Sequence, residues 1–458
     1  MRPELQLAAE LADEYLSGLG TRSLGQTSDP EALRERLQKP LTEEGVDGQQ
    51  VIQELFDDAL PGLLNTADGR FFGWVIGGTL PTAIAADWLV SAWDQSSAAF
   101  CSSPSTAVIE DITGAWLKDI LGLPSEASFG FVTGCQAAHI TSLAAARHRV
   151  LAAKGWMVEE QGLFGAPPIR VLVGEHHETL LRALRFLGLG TACVRHIELE
   201  ADGSISLPAL DKELRREPDM ATIVSLAAGE LNRGAFDPIA EVCERAHRHD
   251  AWVHVDGAFG LWAAASPRFR HLLRGYSAAD SWATDAHKWL NVPYDCGVAF
   301  VKDAEAHKAA MAIPAAYKLE FEGVRDQVDW NPEWSRRARS VPVYAALRTL
   351  GRAGVAKIVE SCCDRASELV DALAQLPDVE VLAKPLINQG LVRFLDPNGN
   401  HDARTDAVIQ RVVDGGNVWF GPTTWQGKRV MRISVSNYRT SAEDVALAVA
   451  TIERALQD

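Results

Sequence analysis

The sequence lacks the features of several classes of protein. Its most apolar stretch near the start, residues 74–90, is interrupted by Gly, Pro, Thr and Asp, so we do not expect a membrane-spanning helix. The first residues show no basic leader followed by an apolar core, and a secretory signal is not expected. The seven cysteines include no CxxC pair, which is typical of a reducing compartment. We therefore expect a cytoplasmic protein without a membrane partner.

Basic residues are in deficit. There are 44 Lys and Arg residues against 61 Asp and Glu, and the formal net charge is −17. This balance argues against a nucleic-acid partner, since such proteins present basic faces to phosphate. A small anionic cofactor is not excluded, because it needs only a local pocket.

Several short motifs of catalytic and metal sites are absent as well. The sequence contains no GxGxxG, Walker or HExxH motif and no GxSxG elbow. Cys243, His247 and His249 could suggest metal ligands, but they lie on a predicted amphipathic helix, and its solvated face explains them better. We predict no metal site.

The middle of the chain alternates between short apolar runs and helical runs. Predicted strands cover residues 129–133, 170–173, 192–197, 222–226, 252–255, 281–284 and 298–301. Predicted helices cover residues 137–151, 179–188, 207–217 and 239–249. This alternation indicates an α/β domain with a mostly parallel central sheet, whose ligands bind at the carboxyl ends of the strands.

The two ends of the chain differ from its middle. Residues 4–17 and 30–38 are predicted as amphipathic helices. After a long predicted helix at 343–373 come strands at 379–382, 390–394 and 430–435 and a final helix at 443–456, typical of a small α+β domain. We predict an N-terminal helical segment (1–75), a large domain (76–342) and a C-terminal small domain (343–458).

Lys288 gives the strongest indication of chemistry. It lies in the segment DAHKWLN, and Asp256 ends the predicted strand WVHVD upstream. A lysine that loses its proton on desolvation can form a Schiff base with the aldehyde of pyridoxal 5'-phosphate (PLP), and a carboxylate can keep the ring nitrogen protonated. The methyl group of Ala258 would pack beneath the ring. Alone, each charged residue is explained at least as well by a surface or loop position, but the surrounding segments favour a PLP site.

Two of these segments follow predicted strands. The turn Gly134-Cys135-Gln136 leads into an Ala-rich helix, whose first N–H groups can bind phosphate, although strand–Gly–helix turns are common. His177 could stack on a pyridine ring, whereas a solvent-facing histidine is the alternative, which we adopt for His176.

Tyr317 lies near the start of a long insert, residues 312–342. A phenol on a mobile loop can deliver a proton to a carbanion once the loop closes and excludes water. A tyrosine that only packs at the rim explains this position equally well.

The sequence resembles the group II PLP-dependent amino-acid decarboxylases, a family that includes aromatic-L-amino-acid, glutamate and histidine decarboxylases. The resemblance extends from about Phe71 to the segment RISV at 432–435. Its most specific motifs are HVDGA at 254–258 and HKWL followed by Asp295-Cys296. It implies PLP-dependent fold-type I and a homodimer with the active site between subunits, in which the N-terminal helical segment wraps around the partner.

The resemblance also implies roles for individual residues. Lys288 would carry the cofactor, Asp256 would pair with the pyridine nitrogen, and His177 would stack on the ring. The phosphate would be held by Gly134, Cys135 and Gln136, with help from His287. Tyr317 occupies the position of the family's catalytic loop tyrosine. The region of substrate contact corresponds to Phe71, Phe72, Trp74 and Phe100, and its aromatic character favours an aromatic substrate, although such residues are equally often plain core.

Three positions depart from the family's pattern. The sequence Gln136-Ala137-Ala138-His139 stands where the family has small residues followed by Glu-Ala-Asn. Asp285 replaces a common asparagine, and a carboxylate there would disfavour phosphate unless it points away. Glu230 and Asn232 occupy a stretch where aromatic decarboxylases prefer threonines.

We therefore expect PLP-dependent decarboxylation of an L-amino acid, most simply an aromatic one, to the amine and CO2. Acidic and sulfinate substrates stay open, since Arg432 or Arg233 could hold a second carboxylate. An aldehyde synthase or a carbon–carbon lyase would use the same cofactor. A catalytically silent homologue is disfavoured because Lys288, Asp256 and His177 are all present.

Tyr317→Phe tests the role of the loop tyrosine. Family members with phenylalanine at this position tend toward oxidative deamination, so we expect the variant to shift its products from the amine toward aldehyde, ammonia and peroxide. Product analysis by mass spectrometry with a peroxide assay measures the change. Unchanged products would remove Tyr317 from the mechanism.

Overall fold

A computed structural model describes residues 2–25, 29–313 and 323–457. Its largest sheet has seven strands: β1 (Ser128–Val132), β2 (Ile169–Val173), β3 (Val194–His196), β4 (Ala221–Ala227), β5 (Trp252–Asp256), β6 (Ser281–Asp285) and β7 (Gly297–Val301). The strands lie in the order β1-β7-β6-β5-β4-β2-β3. The six strands other than β3 are almost entirely buried. A strand that is covered on both faces has no solvent-facing side, so its sequence is a continuous apolar run.

The predicted mostly parallel sheet is confirmed. Strands β3, β2, β4, β5 and β6 pair in parallel, whereas β7 runs antiparallel to both β6 and β1. A parallel pair needs a long crossover, usually through a helix. The connection from β6 to β7 spans only residues 286–296 and contains no helix, so β7 returns in the opposite direction.

Helices alternate with the strands. They are α6 (Cys135–Ala152), α7 (Val158–Gln161), α8 (Glu178–Phe186), α9 (Leu207–Arg216), α10 (Ile239–His247) and α11 (Ala304–Met311). Of these, α6, α8, α9 and α10 were predicted from the sequence, whereas α7 and α11 were not. For each of the four predicted helices, the first and last residues lie within two residues of the observed bounds. In the described ranges, no helix combines the length and apolar character needed to cross a bilayer.

Five helices precede the sheet: α1 (Pro3–Ser17), α2 (Pro30–Leu37), α3 (Gly48–Ala59), α4 (Pro81–Trp93) and α5 (Pro104–Ile120). Proline opens four of them, because its fixed φ suits the first helical position. Helices α3, α4 and α5 were not predicted. The first of them, α3, has a clear N-terminal cap. The Asp47 side chain caps it by accepting hydrogen bonds from the backbone N–H groups of Gln49 and Gln50.

The C-terminal part forms a second sheet. Helix α12 (Ser340–Leu373) is interrupted at Gly351, whose φ of 61° is left-handed. It is followed by β8 (Val379–Ala383), β9 (Gln389–Phe394), α13 (His401–Asp414), β10 (Gly421–Trp425), β11 (Lys428–Ser434) and α14 (Ala442–Gln457). The antiparallel order is β10-β11-β9-β8. The small α+β unit is confirmed, while the domain bounds at residues 75 and 342 stay a prediction.

Helix α13 and strand β10 were not predicted from the sequence. Strand β10 forms a tight hairpin with β11, in which Gln426 and Gly427 both have positive φ, as a type I′ turn requires. Its side chains alternate between exposed and half-buried, so it has no continuous apolar run.

A buried ion pair holds the carboxyl end of β1 in place. Glu110 on α5 lies 2.9 Å from Arg336 Nη1, and both side chains are fully buried. Arg336 Nη2 donates to the carbonyl oxygen of Phe131 at 2.6 Å. The pair therefore joins α5 and the segment before α12 to the strand that leads into the Gly134 turn.

Glu110→Gln tests this pair. Removing one partner leaves buried positive charge uncompensated, so we expect a loss of about 3–5 kcal/mol in the free energy of unfolding. Thermal and urea denaturation followed by circular dichroism measure it. Asp87→Asn is the matched control, because the Asp87–Arg337 pair is exposed and should contribute less than about 1 kcal/mol. Equal destabilisation by the two substitutions would contradict the assignment.

Candidate active site

A cavity of about 690 Å³ opens at the carboxyl edge of the large sheet. Its walls are the segments that follow β1, β2, β4, β5 and β6, the chain at residues 74–76, and part of β10 and β11. Ligands of α/β proteins bind at this edge, because parallel strands bring their carboxyl ends together there.

Lys288 lies on the turn after β6, inside this cavity. Its Nζ is 3.2 Å from Asp285 Oδ2. Burial alone would lower the pKa of Lys288, but the carboxylates of Asp285 and Asp256 raise it above its ordinary value. For the free lysine, the neighbouring carboxylates therefore outweigh the effect of desolvation.

The turn that carries Lys288 is fixed by close backbone packing. A Cβ on Gly77 would lie 1.9 Å from the carbonyl oxygen of Lys288, so only glycine fits there. Asn291 Nδ2 donates to the carbonyl oxygens of Trp289 at 2.8 Å and Ser436 at 3.0 Å. These contacts join the lysine turn to the segment after β11.

Asp256 stands at the end of β5 and faces the same cavity. Its Oδ1 accepts a hydrogen bond from the backbone N–H of Ala258 at 3.1 Å, and His139 Nε2 lies 3.3 Å from its Oδ2. Burial would raise the pKa of Asp256, but His139 and Lys288 lower it well below its usual range. The cavity thus holds an ionised carboxylate.

His177 lies at the cavity mouth, at the N-terminus of α8. Its ring Nδ1 accepts from the backbone N–H of Thr179 at 3.3 Å and so caps the helix. Partial desolvation, with a smaller contribution from Lys288, lowers the pKa of His177, although Asp256 opposes the shift. His176, for which we expected a solvent-facing position, is half-buried and also lines the cavity.

The start of α6 forms another wall, made by Gly134, Cys135 and Gln136. The turn is packed tightly, because a Cβ on Gly297 would lie 2.5 Å from Gly134 Cα. The Cys135 N–H donates to Asp285 Oδ1 at 2.6 Å, so this carboxylate points toward the helix start and not away from it. His287 Nε2 lies 3.6 Å from the same oxygen.

Of the four aromatic residues expected at the substrate, Trp74 lines the cavity and is 50% exposed. Phe71 and Phe72 are buried and stack on Trp419 at 4.7 Å and on Phe420 at 5.0 Å. Large rings bury well against such partners, and neither ring reaches the cavity wall. Phe100 does not line the cavity of the described chain either. Tyr317 lies outside the described residues.

Two further residues lie in or beside the site. The sequence suggested Arg432 only as a possible partner for a second substrate carboxylate, and it suggested no role for His139. Arg432 on β11 is 9% exposed and lines the cavity. Burial lowers its pKa, and Glu230 across the cavity opposes the shift. A charged residue within the apolar strand sequence VMRISV was the available signal. His139 on α6 is fully buried, and its signal in the sequence was the departure from the family's Glu-Ala-Asn pattern.

The residues present fit PLP. The cavity combines a lysine amine, an ionised carboxylate and a histidine at its mouth. It also includes the N-terminus of α6, which packs closely against Gly297. A covalent aldehyde anchor, a partner for a pyridinium and donors for a phosphate are the groups that this cofactor needs.

Comparison with known proteins agrees with this fit. A family profile described as the pyridoxal-dependent decarboxylase conserved domain matches residues 30–395. The aromatic-L-amino-acid decarboxylase of Bacillus atrophaeus is 25% identical over 452 residues, covering 96% of this chain and 92% of the relative. The L-2,4-diaminobutyrate decarboxylase of Rhizobium meliloti is 28% identical over 373 residues, covering 79% and 73%.

A solved structure of Oryza sativa TDC with PLP and tryptamine superposes with a TM-score of 0.93 at 23% identity, covering 100% of this chain and 97% of that chain. That similarity shows the fold. The profile spans most of the chain, and together these findings establish PLP as the cofactor and an amino acid as the substrate. The chain therefore belongs to the pyridoxal-dependent decarboxylase family and is a PLP-dependent carboxy-lyase.

Proposed function

We propose that this enzyme decarboxylates an aromatic L-amino acid to the corresponding amine, with Lys288, Asp256 and His177 as the central residues of the site. The observation that carries this proposal is their convergence on one cavity from three different strand ends. Bound PLP supplies an electron sink for the electron pair that the departing carboxylate leaves behind.

Lys288 is the residue that attaches the cofactor covalently. Its pairing with Asp285 keeps the free amine cationic, so one proton must leave Nζ before this amine can attack an aldehyde. Asp256 would keep the pyridine nitrogen of the cofactor protonated, because an ionised carboxylate stabilises a positive charge beside it. Ala258 would pack against one face of the ring and His177 against the other.

The start of α6 and His287 would hold the phosphate. Gly134 is the N-cap of that helix and Gln136 lies in its first turn. Backbone N–H groups and the helix dipole favour an anion there. Asp285 already accepts the N–H of Cys135, and its charge is balanced by Lys288. We infer that Asp285 serves the lysine and the helix start, while the phosphate uses the neighbouring donors.

Arg432 would bind the α-carboxylate of the substrate. Of the lining residues in the described ranges, Arg432 and Lys288 are the only arginine and lysine. If Lys288 carries the cofactor, one guanidinium remains for a substrate with one carboxylate. A dicarboxylic substrate would need a second cation, which the described lining does not supply.

Apolar and aromatic groups provide the rest of the substrate surface. Trp74, Ile76, Leu180 and Leu231 line the cavity. Glu230 is occupied, since its Oε1 accepts from Asn232 N at 2.7 Å and its Oε2 from Arg233 N at 2.9 Å. A carboxylate with these partners is poorly placed to bind a basic side chain, so an aromatic side chain is the best match.

We also propose a homodimer in the cytoplasm. Exposed apolar side chains on α1 and α3, namely Leu5, Val51 and Leu55, give the N-terminal helices a surface suited to a partner subunit. All seven cysteines are free, which suits a reducing compartment.

A substrate panel with an arginine substitution tests the proposed reaction. We expect amine and CO2 from phenylalanine, tyrosine, tryptophan or DOPA, and Arg432→Gln should lower kcat/KM by about 100-fold because it removes a charge-assisted contact. Mass spectrometry scores the products, with glutamate, cysteine sulfinate and 2,4-diaminobutyrate in the same panel.

Arg233→Gln is the matched control, because Arg233 is absent from the cavity lining. A preference for glutamate or cysteine sulfinate would refute the aromatic substrate. Aldehyde in place of amine would refute decarboxylation as the main reaction.

Asp285→Asn tests the electrostatic control of Lys288. The substitution removes a negative charge but keeps an oxygen that can accept from Cys135 N. Since Asp285 raises the pKa of Lys288, the variant should have a lower amine pKa, and the neutral, reactive amine should predominate at lower pH. The rate of PLP binding to the apoenzyme, followed by absorbance over a pH series, should therefore shift its profile to lower pH.

Asp295→Asn provides the control, because Asp295 pairs with Arg339 and is not in the cavity lining. An unchanged profile in Asp285→Asn, or an equal shift in Asp295→Asn, would contradict the proposed role of Asp285.

A further inference from the structure

A chain of buried hydrogen bonds extends from Asp256 into the core, away from the cavity. His139 Nε2 lies 3.3 Å from Asp256 Oδ2, and His139 Nδ1 lies 2.9 Å from His254 Nε2. His254 Nδ1 lies 2.9 Å from Ser281 Oγ, which also accepts from Trp252 Nε1 at 2.9 Å. His139, His254 and Ser281 are fully buried.

This chain of hydrogen bonds joins one helix to two neighbouring strands of the large sheet. His139 is on α6, His254 is in the middle of β5, and Ser281 begins β6 directly beside it. His139 also occupies the position at which the family pattern described above has asparagine. An asparagine side chain is shorter and could not contact both Asp256 and His254 in the same way.

The distances restrict the positions of the hydrogens. A bond between two imidazole nitrogens at 2.9 Å contains one hydrogen. If Ser281 donates to His254 Nδ1, then His254 Nε2–H donates to His139 Nδ1, and His139 Nε2–H donates to Asp256. Both rings are neutral in this arrangement, and the hydroxyl hydrogen of Ser281 is used.

The reversed arrangement is unfavourable. It would place the lone pair of His139 Nε2 against the Asp256 carboxylate unless that ring took up a second proton. Burial lowers the pKa of His254 to about 3, with a further contribution from His139, so His254 is a neutral link. In each favourable arrangement, the hydrogen between His139 and Asp256 therefore lies on His139 Nε2.

We propose that His139 is a positioning residue for the cofactor, which donates its Nε2–H to Asp256 and keeps that carboxylate ionised and aimed at the pyridine nitrogen. His254 and Ser281 fix His139 in the tautomer that carries its hydrogen on Nε2. The proposal rests on the proposed pairing of Asp256 with the cofactor. No covalent step is involved, because His139 only decides on which side of the Asp256–pyridine pair the shared proton lies.

The other groups around Asp256 are consistent with this role. Lys288 faces it from the turn after β6, and His177 faces it from the start of α8. Cys135 Sγ lies 3.7 Å from Oδ1. Burial, with the nearby carboxylates, raises the pKa of the Cys135 thiol, so it acts as a weak neutral donor. His139 is the imidazole that contacts Oδ2.

Two substitutions of His139 separate its two hydrogen bonds. In His139→Gln the amide nitrogen can replace Nε2 and still donate to Asp256. In His139→Asn the shorter amide can replace Nδ1 and contact His254, but Asp256 loses its donor. The readouts are the PLP dissociation constant and the 15N NMR shift of the pyridine nitrogen in holoenzyme prepared with 15N-labelled PLP.

We expect His139→Asn to weaken PLP binding by about 10- to 100-fold, the usual range for a lost hydrogen bond to a charged group. Its 15N shift should move toward the unprotonated value, because the shared proton moves toward Asp256. His139→Gln should stay within about threefold of the wild type with a protonated 15N shift. Ser281→Ala should move the 15N shift part of the way toward the unprotonated value. Trp252→Phe removes only a donor to Ser281 and should leave the 15N shift unchanged.

Circular dichroism confirms folding of each variant, and Asp256→Ala provides the reference. If Asp256→Ala weakens PLP binding but His139→Asn matches the wild type in both readouts, the role of His139 is refuted. Equal damage in His139→Asn and His139→Gln would also refute it, as the donor would then not matter. If Asp256→Ala itself changes nothing, the proposed pairing of Asp256 with the cofactor is refuted, and the role of His139 with it.

A stoichiometric metal ion in the purified enzyme would also overturn the proposal, since Cys135, His139 and Asp256 would then be its ligands.

Discussion

The structure of this site depends on three charges that share one poorly solvated cavity. Lys288 lies between the carboxylates of Asp285 and Asp256, and this triad would carry an excess negative charge if nothing else contacted it. Desolvated charges are costly unless they are paired and hydrogen-bonded. The N–H groups of Cys135 and Ala258 and the ring of His139 supply the missing donors. Every charge of the triad therefore has a partner within the protein.

Backbone packing holds these charges at fixed distances. Gly77 allows the chain before α4 to touch the carbonyl oxygen of Lys288, and Gly297 allows β7 to touch the Gly134 turn. Asn291 then joins the lysine turn to the segment that follows β11, the strand of Arg432. The small α+β unit is therefore tied to the large sheet beside the cavity.

Sequence patterns predicted the buried strands of the large sheet, four of the helices between them and the mostly parallel arrangement, but several helices and one strand were not predicted. The buried strands and the helices between them were recognisable because each is a continuous apolar run or a periodic one. The antiparallel direction of β7 depends on the absence of a crossover helix, and the half-exposed hairpin strand β10 offers no apolar run to detect. Phe71 and Phe72 show a related limit, since an aromatic residue in a binding region and one in the core look the same in sequence.

The sequence by itself determined the chemistry of the site, because Lys288 and Asp256 lie in motifs specific enough to identify a PLP enzyme. Only the tertiary structure decided how those groups behave. It raised the pKa of Lys288, turned Asp285 toward the helix start, brought Arg432 into the cavity and linked His139 to Asp256. Coulombic and desolvation effects vary with distance and burial, and these are set by contacts between residues far apart in the chain.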